Sequence, residues 1–487
     1  MPSARPAARP PRSAAAPAGN GGLYALAWAG TLLGLAPGLH WLGDLAGLAL
    51  LAFLLREFPR QRRYARVVLA GFSAAGLVGI ALAARGGADP VALFLAGWRR
   101  GAVYAAFYFA LSALRDAAET SRLIRACGRH LIGQPPGRRY AALAAGGHLF
   151  GIILSYGAID LLGAMITRAD GDRAPAAGAL RARRMLMAVF RGFSAMNCWS
   201  PLNVMTAVVS TAVPAAPMHL LLPAAFVVAM GMLALGWAED RLAWRHQREP
   251  GAPVPAGGWA IHLRLVALVA LVMALAEAAG ALLGVGLVSA VTLVVPVVAL
   301  GWVVVQTPRR VRLGGGTLPP VTQVLARRAG RFVARAPAFR AEATVLGASG
   351  FMGVALGGAL HGAGLAPALA GLPPLAIPLA VPLLLMLTGQ IGLNPIAVVA
   401  LIGAAVPAPA ALGVPPAVLA FACMLGWGLG VSVTPMSASA ITTARWLGVS
   451  PWAVSTRWNA RYAIATLLLA WAAIAALFFA VAAFTAG

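Results

Sequence analysis

Apolar runs of about 20 residues recur along almost the whole of this chain, parted by short turns or by clusters of arginine. A helix of that length spans about 30 Å, the hydrocarbon thickness of a bilayer. Of the 487 residues, 60% are hydrophobic and 10% are charged. An ordinary soluble domain is about 25% charged, and one or two water-soluble cores cannot hide this much apolar surface. Soluble enzyme, nucleic-acid binder and disordered hub are excluded. The alternating ten-residue segments of an outer-membrane barrel are absent. An all-α polytopic membrane protein remains.

The formal charge is +25, and all 38 basic residues are arginine. The arginines fall in clusters between apolar runs, the arrangement that keeps positive loops on the cytoplasmic side; nothing in it calls for nucleic acid. Cys127, Cys198 and Cys423 lack metal-ligand spacing.

Residues 1–20, rich in Pro, Ala and Arg, read as a disordered cytoplasmic tail. The N-terminal helices occupy 21–90, with the first apolar block broken at Pro37-Gly38 and a basic loop carrying Arg56, Arg60, Arg62, Arg63 and Arg66. A first repeat covers 91–240. It opens with a span bearing Arg99 and Arg100, followed by an arginine-rich stretch, 115–140, patterned as an amphipathic helix on the cytoplasmic surface. Residues 141–167 are apolar but bracketed by arginines on both sides, so they are predicted to form a re-entrant hairpin turning near Ser155-Tyr156-Gly157. An interrupted helix follows at 185–213. Connecting helices fill 241–307 and a basic cytoplasmic linker fills 308–340.

The second repeat, 341–487, holds a second hairpin at 373–406, with its tip at Thr388-Gly389-Gln390-Ile391-Gly392-Leu393-Asn394-Pro395. A second interrupted helix lies at 418–443. With both hairpins in place, every large arginine cluster falls on one side, Arg85 alone excepted. The expected architecture is about eleven transmembrane helices plus two re-entrant hairpins, in inverted repeats, N-terminus cytoplasmic, in a bacterial-type inner membrane.

Three of the five asparagines, Asn197, Asn203 and Asn394, sit in interrupted membrane segments close to a proline. An amide in hydrocarbon is costly unless partnered. Broken helices expose N–H groups to anions and free carbonyls to cations near the midplane, while helix–helix hydrogen bonding is the structural alternative. The first break is expected over 192–203, with Ser194, Asn197, Ser200, Pro201 and Asn203. The second is expected over 428–439, with Ser432, Thr434, Pro435, Ser437 and Ser439.

A hairpin followed by an interrupted helix, once per half and with inverted topology, resembles the ion transporter superfamily: divalent-anion/sodium symporters, citrate carriers, and arsenite and sodium/proton transporters of similar fold. Family hairpin tips carry Ser-Asn-Thr and the broken helices carry Thr-Pro. Here Ser200-Pro201-Leu202-Asn203 and Thr434-Pro435-Met436-Ser437 stand for the latter; Thr388-Gly389-Gln390, Asn394-Pro395 and Ser155 stand for the tips. The Ser-Asn-Thr triplet itself is absent. The resemblance implies secondary transport of a small solute, an organic anion first, coupled to sodium ions or protons; the alternatives are cation/proton exchange or oxyanion efflux through the same fold, or a non-transporting membrane protein of envelope assembly.

Asp160, five residues past the first tip, is a candidate for cation binding or proton relay, or else for a structural pair with an arginine. No HExxH, GxSxG or Walker sequence is present, so neither an enzyme nor a cofactor is expected. The partners expected are a solute, the lipid bilayer and a second copy of the chain. Asn203, Asn394, Ser200, Thr388, Thr434 and Ser437 are predicted to converge on one polar cavity, because backbone groups freed inside a membrane must be met by protein, water or solute.

Overall fold

The computed structural model describes residues 20–169, 175–244, 258–307, 320–362, 371–406 and 408–486. Among the described residues the regular structure is entirely helical. Six helical stretches are long and apolar enough to cross a membrane: Arg63–Arg85, Met218–Ala243, Ala260–Leu283, Leu287–Gln306, Pro416–Leu447 and Ala460–Phe484.

Helix α1 (Asn20–Leu33) and α2 (Trp41–Glu57) part at Pro37-Gly38, where Gly38 takes φ +78°, a left-handed turn that favours glycine. Asn20 belongs to α1 and not to the tail: it is buried, and its Nδ2 donates to Oε1 of the fully buried Glu57. Arg340, 3.3 Å from Glu57, completes that cluster. Helix α3 (Arg63–Arg85) leads to α4 (Pro90–Glu119), which starts where Asp89 accepts from the Val91 and Ala92 amides with Pro90 in the first turn.

The amphipathic stretch forms α5 (Arg122–Ile132), capped by Ser121. Its apolar face, with Ile124, Cys127 and Leu131, is buried against protein, so α5 is a bracket on its neighbours and not a helix floating on the surface. Then come α6 (Pro136–Leu154) and α7 (Gly157–Ala169), joined through Ser155 and Tyr156; Ser155 has φ +50°. The remaining first-half elements are α8 (Pro175–Met196), α9 (Val204–Ala212) and α10 (Met218–Ala243), followed by α11 (Ala260–Leu283) and α12 (Leu287–Gln306).

The stretch expected as a linker contains a helix, α13 (Val321–Arg335), whose Arg328 is 3.1 Å from Asp116 of α4. The second half continues with α14 (Arg340–Gly362), α15 (Ala376–Gln390), α16 (Pro395–Ala405), α17 (Pro416–Val433), α18 (Ala438–Leu447) and α19 (Ala460–Ala486). Residues 1–19 of the expected tail, and Gly314-Gly315-Gly316, lie outside the described residues.

The halves pack in corresponding ways. Helix α6 lies along α8 as α15 lies along α17, and α10 packs on α8 as α19 packs on α17. The short arms bridge the halves: α7 packs on α8 of its own half and on α18 of the other, and α16 packs on α14 and on α9. Helix α14 is seated between α3 and α4. A side chain at Gly79 would meet the Ala355 carbonyl at 2.6 Å, and one at Gly350 would meet the Gly101 backbone at 2.7 Å. Only glycine permits backbones so close.

Candidate functional site

Both interruptions are narrower than their sequence suggests. Helix α8 runs through Gly192 and Ser194 to Met196, leaving 197–203 as the break; α17 runs to Val433, leaving 434–437. Glycine and serine weaken a helix without ending it: the Ser194 hydroxyl folds back onto the Phe190 carbonyl at 2.9 Å. At the second break Pro435 ends the helix, because it lacks an N–H and drives the residue before it to extended backbone. Thr434, just before Pro435, has φ −78° and ψ 117°.

At the first break, Asn197 Nδ2 donates to the Phe193 carbonyl at 2.8 Å. Asn203 Nδ2 donates to Asn197 Oδ1 at 2.8 Å, and Asn203 Oδ1 accepts from the Met205 amide at 2.8 Å, capping α9. Thr206 Oγ1 donates to the Ser200 carbonyl at 2.9 Å. Trp199 of the break donates from Nε1 to His148 Nε2 of α6 at 2.8 Å, so His148 fills a hydrogen-bonded packing role. Ser200 Oγ is buried and, among the described residues, has no hydrogen-bond partner.

At the second break the α15–α16 turn closes on the end of α17. Gly389 is packed so tightly against Thr434 that a side chain there would collide with its Oγ1. Gln390 Nε2 donates to the Val433 carbonyl at 2.8 Å, while Gln390 Oε1 is buried without a partner among the described residues. The Thr434 hydroxyl returns to the Gly430 carbonyl at 2.6 Å, and Ser432 Oγ to that of Leu429 at 2.7 Å. Ser437 Oγ accepts from the Ala440 amide at 3.1 Å, capping α18, and lies 3.1 Å from Ser439 Oγ. Asn394 caps α16 by accepting from the Ile396 amide at 2.9 Å, with Pro395 in the first turn. Thr388 bonds the Leu384 carbonyl of its own helix at 2.7 Å.

The predicted residues therefore form two clusters, one per break. Among the described residues no hydrogen bond joins Asn203 to Asn394. The clusters are brought near each other where α8 crosses α17: Gly428 is covered by Cys198, leaving no room for a Cβ. Gly428 stands six residues before Thr434, about 9 Å along the helix. Asp160 lies apart from both clusters. It pairs with Arg445 and accepts from Trp446 Nε1 at 3.1 Å, tying α7 to α18 with its side chain 46% exposed. Ser155 sets the α6–α7 turn and, with Pro201 inside the first break, completes the predicted set.

Two residues outside that set reach the second break. Asn459, fully buried ahead of α19, donates to the Ser432 carbonyl at 2.9 Å, and buried Arg191 of α8 donates to Asn459 Oδ1 at 2.8 Å. The available signal was Arg191 itself, an ionisable residue inside an apolar run. Among the described residues, no group of three or more metal-ligating side chains occurs.

No family model and no curated protein matches this sequence. Among solved structures, the YdaH transporter of Alcanivorax borkumensis is similar at 19% sequence identity and a TM-score of 0.45, over 85% of this chain and 87% of that one.

Proposed function

We propose that this chain is a secondary active transporter of a small organic anion, driven by a sodium or proton gradient. In this reading it sits in the inner membrane with about eleven spans, the α6–α7 and α15–α16 pairs as re-entrant hairpins, and the N-terminus in the cytoplasm. The observation that carries it is the pair of interrupted helices, α8/α9 and α17/α18, each with its neighbouring turn and each left with one buried, unmet side-chain oxygen: Ser200 Oγ and Gln390 Oε1.

Inside a bilayer an unmet polar group costs a few kcal/mol, and water, an ion or a solute entering at the two breaks would meet Ser200 Oγ and Gln390 Oε1. Three helix N-termini, those of α9, α16 and α18, start at such breaks or turns, and their positive ends favour an anion.

Purified protein in liposomes tests this. With an inward sodium or proton gradient, a radiolabelled mono-, di- or tricarboxylate is taken up, and the flux collapses when the gradient is dissipated. Absence of flux for all three classes under both gradients overturns the proposal.

A further inference from the structure

We propose that Arg191 and Asn459 are positioning residues that couple the two interrupted helices, so that the second break keeps its shape only while α8 holds its own. This extends the transporter reading and rests on it for its functional consequence. It begins with the carbonyls that Pro435 leaves behind. A helix that continued past Val433 would bond the Ser432 and Val433 carbonyls to the amides four residues on. The chain turns away, and both oxygens are met by side-chain amides instead: Val433 by Gln390 at 2.8 Å, Ser432 by Asn459 at 2.9 Å. Gln390 belongs to the same half and the adjoining turn. Asn459 is aimed from elsewhere.

What aims it is Arg191. The guanidinium donates from Nε to Asn459 Oδ1 at 2.8 Å, which fixes the amide with its NH2 toward Ser432. It donates from Nη1 to the Tyr140 hydroxyl of α6 at 3.2 Å and from Nη2 to the Trp458 carbonyl at 3.5 Å. It is paired with Glu239 of α10 at 2.8 Å and stacked over the Tyr462 ring of α19 at 4.5 Å. Arg191 is 5% exposed and Asn459 fully buried. A planar fork with five donors can hold this many partners at once; an ammonium cannot. One side chain of α8, five residues before that helix ends at Met196, thus fixes the last turn of α17 through Asn459. A shift of α8 drags the Ser432 cap with it.

Amide exchange of the full-length protein in nanodiscs, followed by mass spectrometry, tests the coupling without a substrate. Asn459→Asp keeps an acceptor for Arg191 and removes the donor to Ser432. Arg191→Lys keeps the charge beside Glu239 and removes the fork. Both variants are expected to raise exchange of the 431–434 amides, the last turn of α17, by about three- to tenfold, the factor of one lost hydrogen bond, with the 63–85 helix unchanged. Asn459→Gln is expected to restore part of the protection. In liposomes both variants lower maximal flux more than they change KM. Unchanged exchange at 431–434 in Asn459→Asp, or an Arg191→Lys effect confined to α8, overturns the proposal. Absence of wild-type flux would count against the transport reading alone, and the exchange result would still decide the coupling.

Discussion

Asn203, Asn394 and Ser437 each begin a helix inside the apolar body of the chain, and each accepts a hydrogen bond from an amide in the first turn. Capping explains why these residue types stand there, and the donors of two of them are also taken up locally, Asn203 by Asn197 and Ser437 by the Thr434 carbonyl. Asn203→Ala should lower unfolding stability by about 1 kcal/mol and Asn203→Ser by only a few tenths, since serine still caps. A thermal or denaturant scan in detergent reads the difference. Ser200→Ala is the opposite case. Its buried hydroxyl has no partner among the described residues, so removing it leaves stability unchanged or raises it by up to about 1–3 kcal/mol. If solute or ion uses that oxygen, flux falls in the same variant. At the helix crossing, Gly428→Ala forces a Cβ into Cys198 and should cost about 1–3 kcal/mol as an overpacked core. In a Cys198→Ala background part of that loss should disappear, the rest remaining because the Ser194 carbonyl lies 3.0 Å from the new Cβ, and a cycle of the two single variants and the double measures it.

Elements are joined by ion pairs of unequal worth. Asp160–Arg445 ties α7 to α18 with side chains 46% and 64% exposed, whereas Arg184–Asp240 ties α8 to α10 at 2.8 Å with 17% and 6%. Arg445→Gln should therefore change stability by less than about 1 kcal/mol, and Arg184→Gln by several times more, because it strands a buried carboxylate. A chemical-denaturation series of the two variants tests the order. Much of this level was legible in the sequence. Pro37-Gly38 parts α1 from α2, Ser155-Tyr156 turns α6 into α7, and Pro201 and Pro435 stand inside real interruptions, because proline and tight turns act on their own few residues. The break edges were overextended because Gly192, Ser194 and Gly428 look like breakers yet serve close helix packing. The Arg191–Asn459 link is illegible in the sequence for another reason: it closes across 268 positions, and no local pattern announces it.

At the scale of the whole molecule, arginine-bearing ends from distant parts of the chain meet. Gln61 donates to the Arg340 carbonyl, Arg328 to Asp116, and the Arg183 guanidinium lies 4.0 Å over Trp458. A topology with all these ends in the cytoplasm predicts that a cysteine at Asp89, in a background lacking Cys127, Cys198 and Cys423, reacts with a membrane-impermeant maleimide from outside intact cells. A cysteine at the exposed Ala329 of α13 should react only after the cells are opened; the reverse pattern would refute the orientation. The seat of α14 between α3 and α4 has a consequence in time. A ribosome makes residues 63–119 long before residues 340–362, so the glycine-lined slot enters the bilayer empty and more than 200 residues of later chain pass before its occupant arrives. Until then lipid, or an insertion factor, must fill it. A nascent chain stopped short of α14 would leave Gly79, Gly97 and Gly101 without Ala355, Phe351 and Gly347, the neighbours they pack against in the folded chain.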